Sequence, residues 1–214
     1  MWTYPAPASP ATSAPKLAGV NRDAQGETAP LDAGEFSAWL ISIDAAVRGD
    51  GESDVACGSC TACCTASQFV HILPTETATL ARIPKALLFP APRLSKGHVL
   101  LGYNERGHCP MLVNNQCSIY EDRPQTCRTY DCRVFAAADV YPDDDETKAL
   151  IAEQAKRWRF TYADDSARGE HDVIRATAAA LSNSMYTDDW PDDARPRTTT
   201  QLAVAAVARR RPVI

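Results

Sequence analysis

Between residues 57 and 64 the chain reads Cys-Gly-Ser-Cys-Thr-Ala-Cys-Cys, so that Cys57, Cys60 and Cys63 recur at every third position and Cys64 follows directly. No other feature constrains folding as tightly. Two-residue spacers let a backbone curl about a centre on which successive sulfurs converge, and Gly58 with the small residues Ser59, Thr61 and Ala62 leaves it free to bend. The C-x2-C-x2-C run also matches the first three ligands of bacterial ferredoxin-type loops, and departs from them where Cys64 is adjacent and no proline follows. Adjacent cysteines point in different directions in most conformations, so Cys63 and Cys64 are not expected to serve one mononuclear site equally. The downstream set, Cys109, Cys117, Cys127 and Cys132, supplies enough further thiolates for two four-ligand sites or for one polynuclear site with spare thiols. Spacing alone does not partition them. Neither half closes a convincing site unaided, which makes a centre shared between the two halves the expectation.

Other uses of cysteine fit less well. Four disulfides would need a secretory route and suit chains smaller than 214 residues. Inert core cysteines do not cluster at such spacing, and a redox dithiol needs only one C-x-x-C pair. The N-terminal Met-Trp-Thr-Tyr-Pro-Ala-Pro stretch has neither the basic start nor the apolar middle of a secretory signal, which points to a cytoplasmic setting. In such a reducing compartment a cluster of thiols points to bound metal. A balance of 22 basic against 27 acidic residues, net -5, gives no electrostatic reason for a nucleic-acid or membrane partner. Apolar runs such as Leu202 to Ala208 are far short of the roughly 18 residues of a membrane helix.

Residues 1–30, rich in Pro, Ala, Ser and Thr, read as a flexible tail. Residues 31–214 read as a single metal-binding domain with a cysteine core at 57–135 and C-terminal helices over 143–211. Asp32 and Glu35 have capping-box spacing ahead of Phe36, Leu40, Ile43 and Val47, an amphipathic helix ending near Gly49. Within the cysteine segment, residues 69–73 and 98–103 read as short strands, Thr75 and Glu76 open a short helix through Leu80, and Asn114-Asn115 suits a tight turn. The acidic run from Asp143 to Glu146 reads as a helix start, in preference to a cation site. The helix it introduces carries Ile151, Ala155, Trp158 and Tyr162 on one face, and the next carries Ile174, Ala178, Leu181 and Met185. A last helix starts at Thr198, with Gln201 in capping-box position, and ends in Arg209, Arg210 and Arg211. The whole predicts a small α+β fold in which a loop-rich cysteine core with short strands is covered by flanking helices.

Arg123, Arg128 and Arg133 lie beside the downstream cysteines, where they would hydrogen-bond to sulfur, hold an anionic substrate or serve as surface ion-pair residues. His108, next to Cys109, is a candidate ligand, whereas His71 and His98 on strand-like segments suit a hydrogen-bonded structural role.

The motifs CGSCTACC, GHCPML and QCSIYEDRPQTCRTYDC, over residues 57 to about 135, resemble the bacterial YkgJ-type cysteine-cluster family, a zinc- or iron-chelating domain. The resemblance places Cys57, Cys60, Cys63, Cys64, Cys109, Cys117, Cys127 and Cys132 at chelating positions and Tyr120, Arg123, Pro124 and Arg128 at the other motif positions. Thiolate number and the ferredoxin-like run put an iron–sulfur cluster, of the 4Fe-4S type, ahead of zinc, although four cysteines at knuckle spacing satisfy zinc equally well, and the metal ion is the expected partner. A related motif in flagellin lysine N-methylases raises methyl transfer as an alternative, although no G-x-G-x-x-G donor loop is present.

Overall fold

The helix read from Phe36 forms, with a different cap. In chain order the elements are β1 (Leu31–Glu35), α1 (Phe36–Arg48), β2 (Val70–Ile72), α2 (Thr77–Arg82), β3 (Leu88–Pro90), β4 (Val99–Leu101), β5 (Leu112–Val113) and β6 (Gln116–Cys117). They are followed by α3 (Gln125–Thr129), α4 (Arg133–Ala138), α5 (Ala149–Arg157), β7 (Trp158–Thr161), α6 (Asp165–Ser184) and α7 (Thr199–Arg209). This computed structural model describes residues 29–53, 55, 57–184 and 195–210, so the expected tail (but for its last two residues), Met185 and Arg211 lie outside it. Asp32 belongs to β1, where its carboxylate accepts from the Gly34 amide, and Glu35 caps α1 by accepting from Ser37 (3.0 Å) and Ala38 (2.7 Å). Gly49 closes the helix at φ 80°, a left-handed value that suits glycine, with its amide on the Ala46 carbonyl. The buried face is Phe36, Trp39, Leu40, Ile43 and Ala46, while Val47 in the last turn lies beyond the core and is exposed.

One apolar cluster gathers α1, α4, α5, β7, α6 and α7. At its centre α4 is buried on every side, from Arg133 to Ala138, which is why its sequence shows no amphipathic period. Ile151 and Ala155 of α5 and Ile174 and Ala178 of α6 enter this core as expected. Trp158 also enters it, but α5 stops at Arg157. Trp158-Arg159-Phe160-Thr161 is rich in residues that favour strands, and it pairs in parallel with β1 in the register Leu31↔Trp158. The expected helical face through Tyr162 is therefore cut short by a strand that preserves the burial of Trp158.

The last helix keeps its expected cap with one shift. Thr198 Oγ1 accepts from the Gln201 amide (3.2 Å), and the Gln201 side chain returns to the Arg197 amide (2.6 Å), one residue earlier than a capping box would place it. Asp145 accepts from the Thr147 amide at the turn that leads into α5, and Asp143 and Asp145 pair with Lys156 and Lys148. The acidic run thus serves the helix.

A second, smaller cluster of Ile72, Ile83, Leu101 and Ile119 lies under an antiparallel sheet of order β2-β4-β3. The strands read at 69–73 and 98–103 form its β2 and β4, and the short helix read from Thr75 through Leu80 forms as α2, which starts at Thr77 and runs on to Arg82. His71 and His98 hydrogen-bond to each other, Nε2 to Nδ1 at 2.9 Å, with parallel rings. Asn114 and Asn115 both take positive φ, 50° and 60°, in the β5–β6 hairpin, a turn Asn tolerates better than most residues. Short strands and packed helices together make the fold α+β. Among the described residues no helix is long and apolar enough to cross a membrane.

Candidate metal centre

Backbone hydrogen bonds bring the distant cysteines together. The Cys60 amide closes a turn on the Cys57 carbonyl (2.9 Å) through Gly58 at φ 54°, and residues Ala62–Thr65 form a single 3-10 turn. The Cys109 amide then donates to the Cys64 carbonyl (2.7 Å), and Ser67 donates to the Gly107 carbonyl (2.9 Å), so the two halves of the motif are stitched directly. Gly107 sits at φ 77°, and a side chain there would collide with Ser67 Oγ. From Cys109 the chain turns onto Leu112, and the β5–β6 hairpin sets Cys117 opposite Leu112. Cys127 lies on α3 just after Pro124, and Cys132 caps the start of α4, where Trp158 Nε1 donates to its sulfur at 3.2 Å.

The thiols raise one another's pKa unequally. Cys63 is influenced most by Cys132, Cys60 and Cys57 and least by Cys64, and Cys132 is influenced among the cysteines by Cys57 and Cys60. Cys64 faces Cys109 and Cys117 first, and Cys127 faces Cys64, Cys109 and Cys117. By the strongest of these influences one group is Cys57, Cys60, Cys63 and Cys132 and the other is Cys64, Cys109, Cys117 and Cys127, while weaker influences cross between them, from Cys64 to Cys63 and from Cys60 and Cys57 to Cys64. The adjacent pair Cys63–Cys64 is split between them because a 3-10 turn rotates successive side chains by about 120°. The apolar clusters follow the same division, with Cys60 and Cys132 against the large core and Cys109 and Cys117 against the small one.

Burial pushes every resolved thiol upward: Cys64, Cys127 and Cys132 to about 12, and Cys57, Cys63 and Cys109 also above the ordinary value, with neighbouring cysteines adding to the effect. Cys57, Cys63 and Cys127 are exposed residues, the other five half-buried or buried. None of the eight is in a disulfide. Among the described residues no three His, Cys, Asp or Glu side chains are already closed into a metal-holding geometry. Neutral thiols without a cation have no reason to converge further, since sulfur ligates as the thiolate and metal must displace its proton. A donor set made only of sulfur suits zinc and iron–sulfur clusters over hard cations such as magnesium or calcium.

The three arginines divide. Arg133 holds the buried Asp131 carboxylate with its guanidinium (Nη2 to Oδ2, 2.8 Å) and donates to the Ala33 carbonyl, and its charge also favours the Cys57 thiolate. Arg128 pairs with Glu52 at 2.7 Å and donates to the Arg123 carbonyl. Arg123 lies over the Tyr120 ring, 4.1 Å from its centroid, and its charge favours the thiolates of both Cys57 and Cys127, one from each group. His108 exchanges hydrogen bonds with Asn104 through its backbone. Three supporting residues escape the sequence reading. Asp131 accepts from Trp39 Nε1 (2.9 Å), Ser53 Oγ (2.6 Å) and Arg133, fixing the residue before Cys132. Tyr130 is held protonated by burial and by the charges of Cys63 and Cys132. Trp158 contacts Cys132 from a strand that no motif marks.

Residues 56–157 match the family model CxxCxxCC, described as "Putative zinc- or iron-chelating domain". The matched segment holds all eight cysteines and ends with the last residue of α5. No curated protein matches the chain, and no solved structure does.

Proposed function

Because residues 56–157 match the CxxCxxCC family model, we propose that the eight cysteines of this chain hold metal in two neighbouring four-thiolate centres, iron–sulfur in preference to zinc. Cys57, Cys60, Cys63 and Cys132 serve the first, and Cys64, Cys109, Cys117 and Cys127 serve the second. The observation that carries this reading is the division of the adjacent pair Cys63–Cys64 between the two groups. It reproduces the logic of two-cluster ferredoxin loops, in which three cysteines at C-x2-C-x2-C spacing join a remote fourth and the next cysteine of the run turns to the other centre.

Bound iron and sulfide would supply one-electron chemistry or a rigid cross-link. The chain's own residues shape that centre in definite ways. Trp158 Nε1 donates to Cys132, and a hydrogen bond to a ligating sulfur spreads its charge and raises the potential of what it binds. Arg123 brings positive charge to both groups at once. The methylase-like alternative asks Arg123 or Arg128 to face a donor cleft, and Arg128 is instead engaged by Glu52 and the Arg123 carbonyl.

Purification without oxygen, followed by visible spectroscopy and analysis of iron, zinc and acid-labile sulfide, tests the proposal. The expected result is coloured protein with iron and sulfide in matching amounts. Colourless protein with two zinc ions per chain would retain the two centres and overturn the iron–sulfur assignment. Native, metal-free protein with eight freely titratable thiols would overturn both.

A further inference from the structure

Away from the cysteines, a cavity of about 450 Å3 opens where β7, α6 and the segment after α4 meet, a size within the range of small-molecule sites. Lys156, Arg159 and Arg175 bring three cations to it from three different elements, against the single carboxylate of Asp139. Asp139 faces Tyr141, whose phenol is pushed above its ordinary value by burial and by that carboxylate. Such a concentration of positive charge runs against a chain of net charge -5.

The cations are not consumed by their neighbours equally. Lys156 pairs with Asp143 at 2.6 Å. Arg175 reaches Asp172 only at 3.9 Å. Arg159 donates one amine to the carbonyls of Lys156 and Trp158 (2.7 and 2.8 Å), and among the described residues no carboxylate pairs with it. Deeper in, the buried His171, 2% exposed, meets the Tyr162 hydroxyl through Nδ1 at 2.7 Å. Tyr141, Trp158 and Tyr162 add flat walls to the same space.

We propose that this cavity is a binding site for a small organic anion, with a carboxylate or phosphate held by Arg159 and Arg175 and a ring-like body against the tyrosines. The guanidinium groups suit a two-oxygen anion by their paired donors. The site shares no cysteine with the metal centres and does not depend on them. Trp158 alone touches both, lining the cavity and donating to Cys132.

Calorimetric titration of the protein as isolated, with phenyl phosphate in one arm and benzoate in the other, tests this. Saturable binding of either probe, weakened at least tenfold by both Arg159→Gln and Arg175→Gln and unchanged by Lys96→Gln at the distant turn before β4, is expected. Preference between the probes assigns the phosphate or the carboxylate. Both arginines are exposed, so their variants should keep the parent melting temperature, and that measurement confirms that any loss is local. Failure of both probes to saturate, or equal binding in all variants, would overturn the proposal.

Discussion

Asp131 shows how much a single buried charge organises. Its carboxylate is fully enclosed and receives Trp39 from α1, Ser53 from the loop before the first cysteines, and both the amide and guanidinium of Arg133. Removing one partner of such a pair leaves the other charged and buried, a loss of about 3–5 kcal/mol. Arg133→Met should therefore destabilise the chain by that order in urea titration. A change below about 1 kcal/mol would mean that the Trp39 and Ser53 donors suffice on their own. His171 offers a different test. Burial, with Arg175 nearby, holds its imidazole below the ordinary 6.5, opposed by the carbonyls of Ala136 and Ala137 and by Asp172, while its ring stacks on Phe36. The unfolded chain then binds the proton more tightly than the native one. This contribution to stability is complete above pH 6.5 and is lost as pH falls through 6.5 to the native value. Stability followed from about pH 8 to pH 5 should fall less steeply in His171→Gln than in the parent. Parallel curves would show that His171 does not titrate differently in the two states.

At the scale of elements, the sequence was legible wherever a local rule acted alone. The Gly49 stop, the Thr198 cap and the Asn114-Asn115 turn each depend on residues within a few positions, and each formed where it was read. Reading failed where a partner far along the chain decided the outcome. Asp32 was drawn into β1 and Trp158 into β7 because those strands pair with each other across 127 residues in the register Leu31↔Trp158. The candidate ligands were read from spacing, whereas the grouping proposed for them could not be, because it depends on how the 3-10 turn aims Cys63 and Cys64 and on the Cys109 to Cys64 hydrogen bond. That grouping predicts a pattern of coupling. Cys60→Ser and Cys132→Ser, from one group, should each lower metal content, and the double variant should look like either single. Cys60→Ser and Cys127→Ser, from different groups, should lose separate shares that add. Metal per chain and melting temperature, measured without oxygen, check both pairs. The opposite pattern would mean that the eight thiols form one centre or divide in another way.

On the scale of the whole molecule, the two apolar clusters have very different resources. The helices pack a continuous core around α4, from Phe36 through Phe135 and Ile174 to Val207. Among the described residues the cluster beneath the β2-β4-β3 sheet buries four, Ile72, Ile83, Leu101 and Ile119, with Val70, Leu80, Leu87, Leu88, Val99, Met111, Cys109 and Cys117 partly buried against them. At about 25 cal/mol per Å2 of buried apolar surface, so small a cluster offsets little of the ordering of the loop-rich stretch between α1 and α4. If metal contributes the missing stability, its removal should act regionally. Protein stripped by a chelator under reducing conditions should keep most of its helical circular dichroism, because α1, α5, α6 and α7 hold most of it and carry no cysteine. Amide hydrogens of β2, β4 and the β5–β6 hairpin should exchange rapidly, while those of α6 stay protected. The seam lies at Cys132, which belongs to the large core through Trp158 and caps α4. Protection there should fall partway, since one neighbour is lost and the other kept. Loss of protection throughout the chain at a single chelator concentration would show instead that the metal sustains both clusters as one cooperative unit.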